Sequence, residues 1–142
     1  MSPPDQEFLD QFEDCTLPFE QWKHRAHVKI AYLLLTQLPF DEAVDRMRAG
    51  IKAYNAINDV PEGPTQGYHE TMTQAWLRLI HGTIQRHGPA ESADAFFDAH
   101  PELWQSKILR LFYSPERFMS AQAKTEYLEP DLAPFPVTKE SQ

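Results

Sequence analysis

Apolar residues recur along most of this chain at intervals of three and four positions, the spacing of one face of an α-helix. Proline and glycine residues interrupt the pattern and divide it into helical segments. The sequence contains no internal repeat and no strand-like alternation of useful length. The pattern therefore predicts an all-α fold, an irregular helical bundle of about five to six helices with no sheet. The predicted helices are Pro3–Asp14, Pro18–Gln37, Asp41–Asn55, Tyr68–His87, Ala90–Ala99 and Glu102–Phe112.

The segments between these helices predict the domain organisation. Residues 58–67 form the longest polar interruption, rich in proline and glycine, and are predicted to be a loop. Short turns are predicted from Ser114 onward, and residues 129–142, with three prolines and no periodicity, predict an extended tail. A chain of 142 residues fits one domain. We expect a single helical domain over residues 1–128, followed by a C-terminal tail over residues 129–142.

Composition and charge narrow the class of protein. A hydrophobic fraction of 42% excludes global disorder, and a net charge of -8 lacks the basic surface that most nucleic-acid binding requires. The longest apolar run, Ile30–Leu35, is too short to span a membrane, and the acidic start does not resemble a secretory signal. The single cysteine, Cys15, excludes an internal disulfide. We expect a cytoplasmic protein that binds neither nucleic acid nor membrane, with its oligomeric state left open.

Three histidines fall on apolar faces of the two predicted helices that contain the tryptophans Trp22 and Trp76. On a helical wheel, His24 and His27 lie on the flank of the apolar arc of their helix, three residues apart. His69 aligns with the inward stripe that includes Trp76, in the first turn, where exposed amides favour a neutral imidazole. Since an unpaired buried polar group costs about 1–3 kcal/mol, these rings need partners.

Three neutral imidazoles that converge suit Zn²⁺ or Fe²⁺ with an open coordination position for water or substrate. We therefore predict His24, His27 and His69 as metal ligands. Two other interpretations stay open at this point. The histidines can be bonded to backbone carbonyls or tyrosine hydroxyls within a polar core, or they can form a metal-free site where imidazole performs acid–base chemistry.

The start of the fourth predicted helix supplies the candidate catalytic residues, His69, Glu70 and Tyr68. Glu70 is a candidate general base or fourth metal ligand, although an acidic residue at this position also suits a helix cap. Tyr68 flanks the predicted loop and either lines a pocket near His69 or joins the loop to its helices. Motifs for binding a cofactor are missing, since the sequence has neither a glycine-rich phosphate loop nor a Gly-x-Ser-x-Gly elbow.

Several of these residues belong to short blocks through which the chain resembles a small bacterial family of unassigned function. The blocks are Cys15–Pro18, Trp22, His24–His27, Ala31, Ile51–Asn55, Gly67–Thr73, Trp76, Leu111–Ser114 and Glu129–Leu132. The resemblance extends from about Phe8 to Leu132 and covers nearly the whole chain. It implies a site at the histidine-bearing positions and implies no particular reaction.

The sequence therefore predicts a small helical protein with a histidine-rich, buried polar pocket. One hypothesis is an enzyme that performs metal-assisted or acid–base chemistry on a small polar molecule. The other is a non-catalytic small-molecule-binding or regulatory module whose histidines are structural. Imidazole nitrogens about 3–4 Å apart around a shared point favour the metal centre, because each ligand bond is about 2.0–2.1 Å long. Imidazoles that are each bonded to a backbone carbonyl favour the module.

Overall fold

A computed structural model describes residues 1–135, so residues 136–142 of the predicted tail lie outside the described residues. Residues 1–135 contain no β-strand, only an isolated bridge between Gly63 and Gln66, and the predicted all-α class is confirmed. The seven α-helices of this part are α1 (Pro3–Glu13), α2 (His24–Gln37), α3 (Phe40–Ile57), α4 (Glu70–His87), α5 (Ala93–Ala99), α6 (Pro115–Phe118) and α7 (Ala121–Thr125). Three 3-10 turns, Phe19–Gln21, Pro101–Trp104 and Ile108–Leu111, connect them. The helices outnumber the prediction because α6 and α7 form where only turns were expected.

Helix α2 is the centre of the bundle and contacts α1, α3, α4 and α5. Its buried side chains form an almost continuous run from Ile30 to Leu35, because other elements cover nearly every face. Tyr32 belongs to this run, although the helical wheel places it on the solvent face. Its ring stacks on Phe96 of α5, and its hydroxyl both donates to the carbonyl of Ala90 and accepts from the Ala90 amide. Within residues 1–135, no helix is long and apolar enough to cross a membrane.

The predicted helix over Pro18–Gln37 is divided in two. Residues Phe19–Gln21 form a 3-10 turn, Trp22 is non-helical, Lys23 is extended, and α2 begins only at His24. The break in the helix lets the Trp22 ring turn back onto the core, with ring centroids 5.0 Å from Phe12, 5.0 Å from Tyr54 and 3.7 Å from His27. Packing of one large aromatic ring therefore interrupts a segment whose apolar spacing predicts one helix.

The predicted helix over Glu102–Phe112 is replaced by two separate 3-10 turns. Its two fully buried apolar side chains, Leu103 and Leu109, are six positions apart and would not share one face of an α-helix. The chain bends between them and buries both. A similar shortening affects α5, which begins at Ala93 because the Ser92 hydroxyl caps it by accepting from the amide of Ala95.

The C-terminal segment folds back over the start of α4. The Thr71 hydroxyl, fully buried, donates to the Glu126 carbonyl at 2.8 Å and accepts from the Leu128 amide at 3.1 Å. Lys124 of α7 donates to the carbonyl of Tyr68 and is paired with Glu62 of the loop at 3.5 Å. The Glu62 carboxylate also accepts from the Tyr68 amide at 3.0 Å. These contacts join residues 58–67, the start of α4 and the C-terminal segment into one structure.

Candidate functional site

His69 is the N-cap of α4, one position before the first turn where the sequence places it. Its Nδ1 accepts from the amide of Met72 at 3.0 Å, and its Nε2 donates to the carbonyl of Phe118 at 3.1 Å. The Phe118 ring stacks on the imidazole with centroids 5.0 Å apart. Burial lowers the pKa of His69, so the ring is neutral at pH 7. The lone pair on Nδ1 of the neutral ring is already occupied, because it accepts the capping hydrogen bond from the Met72 amide.

His24 and His27 each donate one ring N–H to a backbone carbonyl. The Nε2 of His24 lies 3.2 Å from the carbonyl oxygen of Leu103, and the Nδ1 of His27 lies 2.8 Å from that of Lys23. Burial is the main cause that lowers the pKa of both rings, that of His27 to about 4. Both imidazoles are therefore neutral at pH 7, and the Nε2 of His27 keeps a lone pair that can accept a hydrogen bond.

These hydrogen bonds do not support the predicted metal centre built from His24, His27 and His69. A metal ligand must offer a free lone pair, and both ring nitrogens of His69 are engaged. In the part of the chain that the structure describes, no three His, Cys, Asp or Glu side chains are grouped so that they could hold a metal ion. The Zn²⁺ or Fe²⁺ expected from the sequence therefore has no set of ligands here.

Glu70, the first residue of α4, is only 6% exposed and accepts hydrogen bonds from three side chains. Arg48 of α3 holds both carboxylate oxygens, from Nε to Oε1 at 2.9 Å and from Nη2 to Oε2 at 2.7 Å. The Tyr68 hydroxyl donates to Oε1 at 2.7 Å, and Gln74 donates to Oε2 at 2.6 Å. Arg48 is the largest cause that lowers the pKa of Glu70 to about 2.

The three predicted catalytic residues are adjacent in space, but their polar atoms serve the protein itself. The Glu70 carboxylate is ionised and its acceptor positions are occupied, which leaves little capacity to take a proton from a substrate. Burial, with the hydrogen bond to Glu70, raises the pKa of Tyr68 well above its usual value. The contacts of His69 join α4 to Phe118. These geometries are those of a structural junction between α3, α4 and the C-terminal segment.

Beside this junction lies a cleft made of two adjoining cavities. The loop cavity, about 290 Å³, is lined by residues of the 58–67 loop together with Trp22, Asn55 and Met119. The helix cavity, about 260 Å³, lies between α2, α3 and α4. Its lining is mostly apolar and consists of His24, His27, Val28, Ala31, Met47, Ile51, Met72, Thr73, Trp76 and Ser106. The two cavities share His27, Ile51, Met72 and Thr73, so His27 lines both.

Asn55 is a candidate binding residue that is not among the predicted catalytic or metal-binding residues. Its side chain is only 8% exposed and lines the loop cavity. Within residues 1–135 no protein group pairs with the amide, while the backbone carbonyl accepts from Val60. The fully enclosed side-chain atoms without a partner in this part of the chain are those of Arg78, Gln85 and Tyr127, so the Asn55 amide is still reached by solvent from the cavity. The signal that identifies it is spacing, because Asn55 follows Ile51 by four residues and Met47 by eight and so lies on the buried face of α3.

A larger basin of about 560 Å³ lies on the other side of Tyr68. Its lining includes the cations Arg48, Lys52 and Lys124 and the carboxylates Glu62, Glu70 and Glu126. Arg48 is paired with Glu70 and Lys124 with Glu62, so opposite charges largely cancel at this surface. The basin therefore offers no excess of either charge with which to select a ligand.

No protein-family model, curated protein or solved structure matches this chain. The resemblance to a small bacterial family of unassigned function stays a prediction.

Proposed function

We propose that this protein binds a small molecule in the cleft formed by the loop cavity and the helix cavity, and that it acts as a binding module. The observation that supports this proposal best is the amide of Asn55, which is buried, faces the loop cavity and makes no hydrogen bond to residues 1–135. Water in the cavity can complete the hydrogen bonds of this amide in the free protein, and a ligand that replaces this water can use the same donor and acceptor groups. A ligand that does so has a binding site prepared by the fold.

The shape and the chemistry of the cleft agree with this proposal. Small-molecule sites are concave, mostly apolar and equipped with a few polar groups that orient the ligand. Here the helix cavity supplies apolar walls such as Val28, Ala31 and Met47, and the polar groups of the cleft include the Asn55 amide and the Nε2 of His27. His24 and His69 hold the surrounding elements together through their bonds to the carbonyls of Leu103 and Phe118.

A second candidate function is acid–base catalysis in the same cleft. The observation that favours it is the lone pair on the Nε2 of His27 in a shielded cavity, and it assigns the proton-accepting role to His27. A pKa of about 4 makes this imidazole a weak base at pH 7, because an efficient general base has a pKa near the working pH. Binding therefore explains the geometry better than catalysis does.

The proposal is tested by screening aromatic fragments against the isotope-labelled protein with two-dimensional NMR, and by repeating the screen with Asn55→Leu. We expect fragments that shift the resonances of Asn55, Met72 and Thr73 in the native protein and that lose these shifts in Asn55→Leu. The variant should unfold at the same temperature as the native protein or higher, because leucine removes an amide that has no partner in the protein.

Asn58→Leu is the matched control, three residues further along the same helix end. The Asn58 amide donates to the carbonyl of Tyr54 at 2.9 Å, so its loss should lower the free energy of unfolding by about 1 kcal/mol and leave fragment binding unchanged. A screen in which no fragment shifts a residue of the cleft contradicts the proposal. So does an Asn55→Leu variant that is less stable and still binds.

A further inference from the structure

The Asn55 amide and the neutral His27 imidazole restrict which ligands the proposed binding site can accept. Asn55 offers one carbonyl oxygen and two N–H donors, and the Nε2 of His27 offers only an acceptor. The Nδ1–H of His27 is already donated to the carbonyl of Lys23 at 2.8 Å, which fixes this tautomer. A ligand that satisfies both side chains must therefore bring at least one hydrogen-bond donor of its own, together with an acceptor for the Asn55 amide.

The cleft also lacks a free positive charge that would attract an anionic ligand. Lys124 lines the loop cavity, but its ammonium donates to the carbonyl of Tyr68 and is paired with Glu62. His27 is neutral at pH 7, since its pKa is about 4. The whole chain carries a net charge of -8, which disfavours the approach of anions. A carboxylate placed here would direct its lone pairs at the lone pair of His27.

The rim and walls of the cleft favour a flat, aromatic ligand body. Phe19, Met72 and Met119 line the loop cavity, and all three side chains are well exposed, with Met119 at 61%. Unbranched thioether side chains adapt to planar rings and make favourable sulfur–aromatic contacts. The helix cavity adds the indole of Trp76, so both parts of the cleft present aromatic or thioether groups.

We propose that the cleft selects neutral, planar molecules that carry a primary carboxamide edge, and that it rejects the corresponding carboxylates. The edge pairs its oxygen and its N–H with the Asn55 amide, and a further N–H of a primary carboxamide reaches the Nε2 of His27. The ring occupies the apolar part of the cleft. This inference rests on the proposed function, since it specifies the ligand class of the same site.

The test compares 2-naphthamide with 2-naphthoate, which have the same ring system and differ only in the polar edge. Each is titrated at pH 7.5 into the native protein while the resonances of the cleft are followed by NMR. We expect the amide to bind at least about ten-fold more tightly than the acid, the difference that one good hydrogen bond provides. In His27→Phe, which keeps a ring beside Trp22, the amide should lose about ten-fold in affinity. His87→Gln, an exposed position outside the cleft, should bind as the native protein does.

The comparison of the two probes needs only the native protein, so a variant that fails to fold does not affect it. Equal binding of the two probes, tighter binding of 2-naphthoate, or no binding of 2-naphthamide overturns the ligand class. None of these outcomes removes the proposed function, which stands or falls on whether any fragment of the wider screen occupies the cleft. A His27→Phe variant that folds and keeps full affinity for the amide overturns the role of the imidazole.

Discussion

Two buried polar side chains on neighbouring helices, Asn55 and Glu70, differ in how completely the protein satisfies them. Glu70 accepts hydrogen bonds from Arg48, Tyr68 and Gln74, whereas the amide of Asn55 makes none within residues 1–135. A polar side chain that lines a cavity and has no partner in the protein is available to water or to a ligand. The distinction assigns Glu70 to the framework of the protein and Asn55 to the surface of the proposed binding site.

Glu70→Gln should therefore destabilise the protein strongly. Glutamine has a single acceptor oxygen and would turn an N–H group toward Arg48 or Gln74, so the guanidinium loses its buried counter-charge. We expect the free energy of unfolding to fall by about 3 kcal/mol in urea denaturation, near the low end for a broken buried pair because the Arg48 side chain is 33% exposed. Asp45→Asn is the control: this carboxylate contacts the same arginine at 3.0 Å but is 75% exposed, and its loss should cost less than about 0.5 kcal/mol.

The same residue predicts how stability depends on pH in acid. The pKa of Glu70 is about 2 in the folded protein and 4.5 when unperturbed, so the unfolded chain binds the proton more readily. The stabilising contribution is complete above pH 4.5 and is lost as the pH falls through 2. Between pH 5 and pH 3 the native protein should lose more stability than Glu70→Gln does. Parallel stability curves for the two proteins would contradict this assignment.

For individual residues, the sequence predicted which side chains lie close together better than it predicted their hydrogen-bond partners. His69, Glu70 and Tyr68 do lie together beside the 58–67 loop. The apolar wheel also places His24 and His27 away from solvent, as the structure does. A wheel cannot show that a carbonyl such as that of Phe118, distant in sequence, takes the N–H of an imidazole. Such long-range contacts decide which lone pairs are free, and in the described residues they leave the metal prediction without support.

The elements show where local spacing determines structure and where packing overrides it. Helices α3 and α4 have long amphipathic patterns and form within a few residues of their predicted bounds. The predicted helix over Pro18–Gln37 breaks because the indole of Trp22 gains more by packing against Phe12, His27 and Tyr54 than by continuing a helix. Spacing along the chain cannot reveal which aromatic rings will meet across helices.

The contact between α1 and α3 predicts an unusual effect of a glycine substitution. Alanine in the middle of a helix is normally favoured over glycine by about 1 kcal/mol. At Gly50, however, an added Cβ would lie 2.5 Å from the Cε2 of Phe12, a ring that is fully buried against Trp22. We expect Gly50→Ala to lower the free energy of unfolding by about 1 kcal/mol, since overpacking outweighs the helix propensity. Chemical denaturation of both proteins measures the difference.

Gly63→Ala provides the control for this substitution. A Cβ at residue 63 would meet the flexible side chain of Gln66 at 3.6 Å, an ordinary contact distance. Its stability should stay within about 0.5 kcal/mol of the native value or rise slightly. If Gly50→Ala is as stable as Gly63→Ala, the close approach of α1 and α3 at this point is not rigid.

Across the whole molecule, one hydroxyl joins the central bundle to the C-terminal segment. Thr71 bonds both the Glu126 carbonyl and the Leu128 amide, and the Tyr113 hydroxyl donates to the Leu128 carbonyl at 2.7 Å. A further hydrogen bond joins Leu132 to Phe112, because the amide of Leu132 donates to the carbonyl of Phe112. The tail predicted over residues 129–142 is thus anchored at its start rather than free.

Thr71→Val should weaken the packing of the C-terminal segment against α4, because it removes both hydrogen bonds of the Thr71 hydroxyl. Valine keeps the shape of the side chain and leaves one buried carbonyl and one buried amide without partners, at a cost of about 2 kcal/mol. Hydrogen exchange of the amides in residues 121–128 should accelerate by about ten-fold, while the amides of α2 keep their protection. Thr83→Val serves as the control, because its hydroxyl bonds only the carbonyl of Leu79 one turn earlier in α4.

The walls of the cleft come from positions as far apart in the chain as Phe19 and Lys124, so the proposed binding site exists only when the whole bundle is assembled. A molecule that occupies it therefore holds the native state against unfolding, by about 2.7 kcal/mol at a hundred-fold excess over its Kd. In a cell that degrades unfolded chains, the steady-state amount of this protein would then rise and fall with the supply of its ligand.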